Sequence, residues 1–144
     1  MKNREMIDTL NGLYALRARE EKREKAEKVF TGRVLFIMSR NFRTLNKEYS
    51  ENYLKDLQEL REKYYIIKET EVIVPGDAEK GIKEHKETKK VEVLKPTCTE
   101  QQYHEELSEL LDIDVKIEIS KVSSEAVENV YDFRDMDAIQ FMVE

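Results

Sequence analysis

Four glycines, one cysteine and two histidines are all that this chain of 144 residues contains of three residue types on which much site chemistry relies. Cys98 alone cannot form an internal disulfide, which points to a reducing compartment. Together with His85 and His104 it falls short of the four ligands of a structural zinc site. Gly76 and Gly81 have the spacing of a phosphate loop, but Ile82-Lys83 stand where Lys-Ser/Thr is required. The remaining glycines offer no other cradle, so no nucleotide cofactor is implied. The longest apolar run, Val34-Leu35-Phe36-Ile37-Met38, is far shorter than the roughly 20 residues that cross a bilayer. No basic stretch followed by an apolar one opens the chain, so no secretory leader is expected.

What the chain has in quantity is charge, at 39% of residues, with a formal net charge of −6. The distribution is polar: residues 1–47 carry +6, residues 48–144 carry −12, and residues 96–144 alone carry −10. Such a split orients partners more than it shapes a fold.

The hydrophobic pattern begins with a helix that places Met6, Leu10, Leu13 and Leu16 on one face, with Gly12 as a weak point. Residues 19–28 are nearly all charged and read as a solvent-exposed helical extension. After a break at Thr31-Gly32, Leu35, Met38, Phe42, Leu45, Tyr49, Tyr53, Leu57, Leu60 and Tyr64 follow in steps of three and four. They predict a helix of some thirty residues, uninterrupted by proline and roughly 45 Å long. Residues 1–64 are thus expected to form a helical hairpin, with a coiled-coil seam between two chains as the alternative.

The period then changes. Tyr65-Ile66-Ile67 and Glu71-Val72-Ile73-Val74 read as strand, Pro75-Gly76-Asp77 as turn, residues 76–90 as a mobile polar loop, and Val91–Leu94 as a return strand. Thr99-Glu100-Gln101-Gln102 is a capping box that opens a helix burying Tyr103, Leu107 and Leu110. Ile113, Val115, Ile117 and Ile119 alternate with Asp114, Lys116 and Glu118, the plainest strand signal in the chain. Ser123 or Ser124 caps a short helix carrying Val127 and Val130, and Asp135 caps a last one carrying Ile139 and Met142. The expected class is α+β and helix-rich: one domain, 1–144, with a long N-terminal hairpin and then, over 65–144, a small antiparallel sheet with short helices.

Catalytic chemistry finds little to work with. Cys98 and His104 lie at one helix N-terminus without a spacing that joins their side chains, and an ordinary pre-helix residue is the simpler reading of Cys98. Asp132, Asp135 and Asp137 could suit a hard cation, but helix capping explains two of them without metal. No catalytic residue, cofactor or metal site is therefore assigned. Two charged faces remain as candidate partner-binding surfaces. Arg33, Arg40, Arg43 and Lys47 share one face of the second helix, and Arg17, Arg19, Lys22 and Arg23 are expected to lie nearby across the hairpin. Asp112, Asp114 and Glu118 share the wet face of the alternating segment. The basic face has the form of a non-specific phosphate footprint, yet a pI near 5.2 argues against nucleic acid and for a protein partner. A second copy is one such partner, its acidic third meeting the basic helix.

The stretch Thr31–Glu48 running on to Leu60–Tyr64, with Tyr103–Asp112, Val115–Ile119 and the ending Asp135-Met136-Asp137-Ala138-Ile139-Gln140-Phe141-Met142, resembles a small uncharacterised family encoded by tailed phages and prophages of Gram-positive bacteria. About 100 residues carry the resemblance, from about 31 to 64 and 97 to 144, and the charged 19–28 stretch and the 75–95 segment depart from it. The shared motifs are packing patterns. The family has no assigned activity and transfers no functional residue. The resemblance implies a non-enzymatic phage accessory protein in the host cytoplasm or the virion. Three roles follow as expectations: virion or tail morphogenesis through protein contacts, inhibition of a host or defence protein by an acidic surface that imitates nucleic acid, or nucleic-acid binding through the basic helix.

Overall fold

A computed structural model describes residues 1–144. Its helices are α1 (Asn3–Lys22), α2 (Gly32–Glu48), α3 (Leu54–Tyr64), α4 (Glu100–Leu111) and α5 (Phe133–Ile139), and its strands are β1 (Tyr65–Val74) and β2 (His85–Leu94). Short 3₁₀ turns cover Lys25–Glu27, Ser124–Val127 and Gln140–Met142. The class is the expected helix-rich α+β. The chain divides into two compact units: Met1–Asp56 with Ser108–Glu144, and Leu57–Leu107 between them in sequence.

In the first unit, Met6, Leu10, Leu13 and Leu16 of α1 are buried, as their spacing predicts. α1 packs on α2 and on α5. The approach to α5 is close: a Cβ built on Gly12 would lie 3.6 Å from the Ala138 Cα and Cβ. That is ordinary contact, so the glycine is not sterically required. The facing seam of α2 is Val34, Met38, Asn41 and Leu45, while Leu35, expected on the stripe, is exposed. Thr31 caps α2 by accepting from the Val34 amide at 3.3 Å.

The long second helix is present, with one modification. Between α2 and α3 the chain stays helical but widens into a π-turn at Tyr49–Tyr53. The sequence contains the reason. Leu45, Tyr49, Tyr53 and Leu57 are three successive steps of four, and each carries an α-helical side chain about 40° off the stripe. A wider turn takes up the surplus, and Leu45 and Tyr53 are both buried.

Three expectations are corrected. The charged 19–28 stretch is only in part a solvated helical extension: residues 21, 22 and 24–28 are exposed, but α1 ends at Lys22, and Glu20 and Asp135 are buried against the half-buried Arg19 and Arg23. Asp135 does not cap α5; Asp132 does, accepting from the Arg134 amide at 2.9 Å. The alternating segment from Ile113 to Ile119 keeps its period, with Val115, Ile117 and Ile119 half-buried and Asp114, Lys116 and Glu118 exposed, but it belongs to no sheet. Its one bridge is to Lys2, through Asp114. Alternation reports a half-buried extended chain; whether a neighbouring strand exists is a separate matter.

In the second unit, β1 and β2 form a two-stranded antiparallel ribbon in the register Tyr65↔Leu94 to Val74↔His85. The expected loop at 76–90 is therefore shorter, because residues 85–90 are strand. Polar side chains suffice there since both faces of the ribbon are largely exposed, and Glu69 faces Lys90 across it. The tip is closed by Asp77 and Ile82, which exchange backbone hydrogen bonds of 2.8 and 2.9 Å, with Gly81 at φ +68°. The base is an aromatic cluster: Tyr103 meets Tyr64 and Tyr65 edge-on at 5.8 and 5.3 Å. The Arg61 guanidinium lies over Tyr65 and Tyr103, donates to the Tyr103 hydroxyl at 2.9 Å and pairs with Glu92. The capping box of α4 is formed, Thr99 N to Gln102 Oε1 at 3.0 Å and Gln102 N to Thr99 Oγ1 at 3.2 Å.

Two substitutions test this packing by urea unfolding. Leu45→Ala, at a fully buried position, is expected to cost about 2–5 kcal/mol. Gly12→Ala should raise stability by roughly 0.5–1 kcal/mol, because helix propensity improves and the new methyl meets Ala138 at contact distance.

Candidate functional site

The most concentrated charge chemistry in the interior joins the end of α1 to the start of α5. Arg19 Nη2 and Nε lie 2.7 and 2.9 Å from Asp135 Oδ1. Arg23 Nη2 lies 2.6 Å from Asp135 Oδ2, an ionic contact off the hydrogen-bonding direction, and 3.4 Å from Asp132 Oδ2. Arg23 Nη1 also donates to Glu20 Oε2 at 3.0 Å. Arg134 grips Asp132 through Nε and Nη2, at 3.1 and 2.7 Å, and so holds the Asp132 carboxyl far below the usual carboxylate range. This cluster is structural: its carboxylates face guanidinium groups. Asp137 stays exposed, and the three aspartates are not brought together as a ligand set.

The candidate thiol and imidazoles are likewise separate. Cys98 Sγ points to the Lys63 carbonyl at 4.0 Å, and the His104 ring packs edge-on to Tyr103 at 5.5 Å. His85 sits at the start of β2, with Nδ1 2.9 Å from the Lys83 carbonyl and Nε2 2.7 Å from Glu87 Oε1. Those two acceptors, the carbonyl first, raise its pKa above the ordinary 6.5.

The two charged surfaces fare differently. Asp112 pairs with Arg4 at 3.2 Å, and Asp114, though 80% exposed, lies 3.9 Å from the N-terminal ammonium. Glu118 is exposed and unpaired. Arg33, Arg40, Arg43 and Lys47 are all exposed on α2, and none has a carboxylate partner. Of the extension expected from α1, Lys22 alone stays exposed and without an ion pair: Arg19 and Arg23 are engaged by Asp135, and Arg17 by Glu21 at 3.1 Å. Of the nine arginines, Arg4, Arg17, Arg19, Arg23, Arg61 and Arg134 form ion pairs. The three that do not are Arg33, Arg40 and Arg43.

Sequence reasoning missed three residues of this surface and its supports. Phe36, 62% exposed, stands among the unpaired arginines on α2. Asn41 is buried and clamps Ser120, donating from Nδ2 to its carbonyl at 2.9 Å and accepting from its amide at 2.8 Å. Asn3 is buried too and donates to the Leu110 carbonyl at 2.9 Å. The signal for Asn41 was positional: it lies seven residues after Val34 and four before Leu45, so a polar side chain occupies the apolar seam. No family model, curated protein or solved structure matches this chain.

The His85 contacts carry a pH dependence. Because the folded pKa is raised, the stabilisation from its protonation is complete below the unfolded value near 6.5 and is lost as pH rises through the folded value. An imidazole NMR titration should give a midpoint above 6.5, lowered part of the way by Glu87→Gln. A midpoint at or below 6.5 would contradict the two contacts.

Proposed function

We propose that this is a non-enzymatic interaction protein that docks the solvent face of α2, through Arg33, Phe36, Arg40, Arg43 and Lys47, on an acidic surface of another protein. The observation that carries the reading is the contrast among the arginines: every one outside this face is neutralised within the chain, and the three on it are not. An exposed phenylalanine among unpaired guanidinium groups provides a desolvated anchor inside a charged rim, the make-up of a protein-binding hot spot. The formal charge of −6 favours an acidic protein patch over a nucleic-acid backbone, since a polyanion is repelled by the rest of the molecule. In-chain pairing of Asp112 and Asp114 gives less support to an acidic surface that imitates nucleic acid. The phage resemblance supports a partner in the host cytoplasm or the virion, with assembly of the virion or tail as the setting.

The triple variant Arg33→Glu, Arg40→Glu, Arg43→Glu tests the reading. Because the side chains are exposed and unpaired, its unfolding midpoint should stay close to wild type. Capture of the wild-type partner from infected cells should be lost, and the wild-type complex should weaken with salt through slower association. Retention of that partner by the variant, with loss on neutralising Asp112, Asp114 and Glu118, would move the working surface to the acidic segment. A salt-dependent shift of duplex DNA at about 150 mM salt, abolished by the reversals, would make the face a nucleic-acid site instead.

A further inference from the structure

The segment from Ile113 to Ile119 has the residue pattern of a strand and no strand beside it. In an extended chain the N–H and C=O of one residue point to one edge and those of the next residue to the other. The odd-numbered edge is occupied at its start, where the Ile113 carbonyl accepts from Asn3 at 3.0 Å and the Val115 amide donates to Met1 at 2.8 Å. The even-numbered edge is occupied at its end, where Asn41 takes both backbone groups of Ser120. Between these anchors, Lys116, Ile117, Glu118 and Ile119 make no backbone hydrogen bond within the chain. Four residues of extended backbone with unused donors and acceptors form an open edge.

We propose that a second copy of this chain supplies the missing strand, antiparallel, about a two-fold axis through Ile117. A two-fold normal to a sheet keeps every side chain on its own face, so facing residues must be an even number apart. Centred on Ile117, the sequence is complementary to itself. Ile117 faces Ile117 of the second copy, and Val115 faces Ile119, on the half-buried side. Lys116 faces Glu118, twice, on the wet side. Neighbouring centres fail: Lys116 or Glu118 would face its own copy, and a centre at Val115 sets Asp112 against Glu118.

The free edge also selects the hydrogen bonds. Pairing through the even-numbered edge uses the N–H and C=O of Lys116 and Glu118 from both copies, giving four bonds, whereas on the odd-numbered edge the Val115 amide is taken. The pairing is confined to Lys116–Glu118, because Asn41 already takes the even-numbered edge at Ser120. This self-association uses no residue of the proposed docking face of α2, and its variants leave that face intact.

Sedimentation velocity on the full chain should show a monomer–dimer equilibrium. Lys116→Glu and Glu118→Lys, each alone, set like charges against one another and should weaken the dimer at least tenfold. The double variant Lys116→Glu/Glu118→Lys should restore it, and an equimolar mixture of the two single variants should form a heterodimer. In a Cys98→Ser background, Ile117→Cys should oxidise to a symmetric disulfide dimer, because the Cα separation of about 4.5 Å in a non-hydrogen-bonded pair suits that bond. Lys116→Cys in the same background should not cross-link. A wild type that remains monomeric up to about 1 mM would overturn the proposal. So would a dimer indifferent to the reversals, or single variants that do not pair when mixed.

Discussion

The arrangement of the first unit depends on one carboxylate. Asp135, with 1% of its side chain exposed, lies between the guanidinium groups of Arg19 and Arg23, which are separated from it by more than 110 residues of sequence. Taking these charges from water is unfavourable, and their attraction offsets that cost only where geometry and further hydrogen bonds are good. Here Glu20 and Asp132 share the load on Arg23, and Arg134 in turn fixes Asp132. Removing one member leaves the others buried and uncompensated, so the cluster tolerates one mutual placement of α1 and α5 and penalises others.

That cluster also shows where sequence reading stops. Composition identified residues 19–28 as helix-forming and charged, and the usual fate of such a stretch is a solvated face. Nothing in the local pattern distinguishes Arg17, paired on the surface with Glu21, from Arg19, two residues on and turned inward. The difference arises from Asp135, a residue whose own pattern suggested a cap. Periodicity was a better guide to the helices, where each position interacts mostly with its own element. Even the π-turn was written into three successive steps of four. The same period misled at Ile113–Ile119, because a strand needs a partner and alternation describes only one chain. The candidate surfaces were visible as charge, but the in-chain pairing that leaves three arginines free was not.

Buried amides complement the ionic cluster. Asn41 presents to Ser120 the donor and acceptor that a neighbouring strand would present, so a helix ends the edge of an extended chain without a sheet. Asn3 binds the Leu110 carbonyl in the last turn of α4, where helix carbonyls lack intrahelical partners. Both contacts place directional bonds in an otherwise apolar seam, and directional bonds specify register where side-chain packing alone leaves neighbouring registers close in energy.

The division of the chain has a consequence for the order in which it folds. Residues 57–107 form a unit whose pairings are mostly near in sequence, ribbon strand to adjacent ribbon strand. The other unit is interrupted by it and closes only when residues from either side of the interruption meet. During synthesis, α1 and α2 emerge with Arg19 and Arg23 hydrated and the seam of α2 uncovered, and they wait for α5, which is made only after residues 57–107. Contacts of short sequence separation form first and long loop closures later. The inserted ribbon can therefore assemble on a nascent chain whose outer unit is still open. During that interval the exposed seam, rather than the finished surface, governs what the chain associates with.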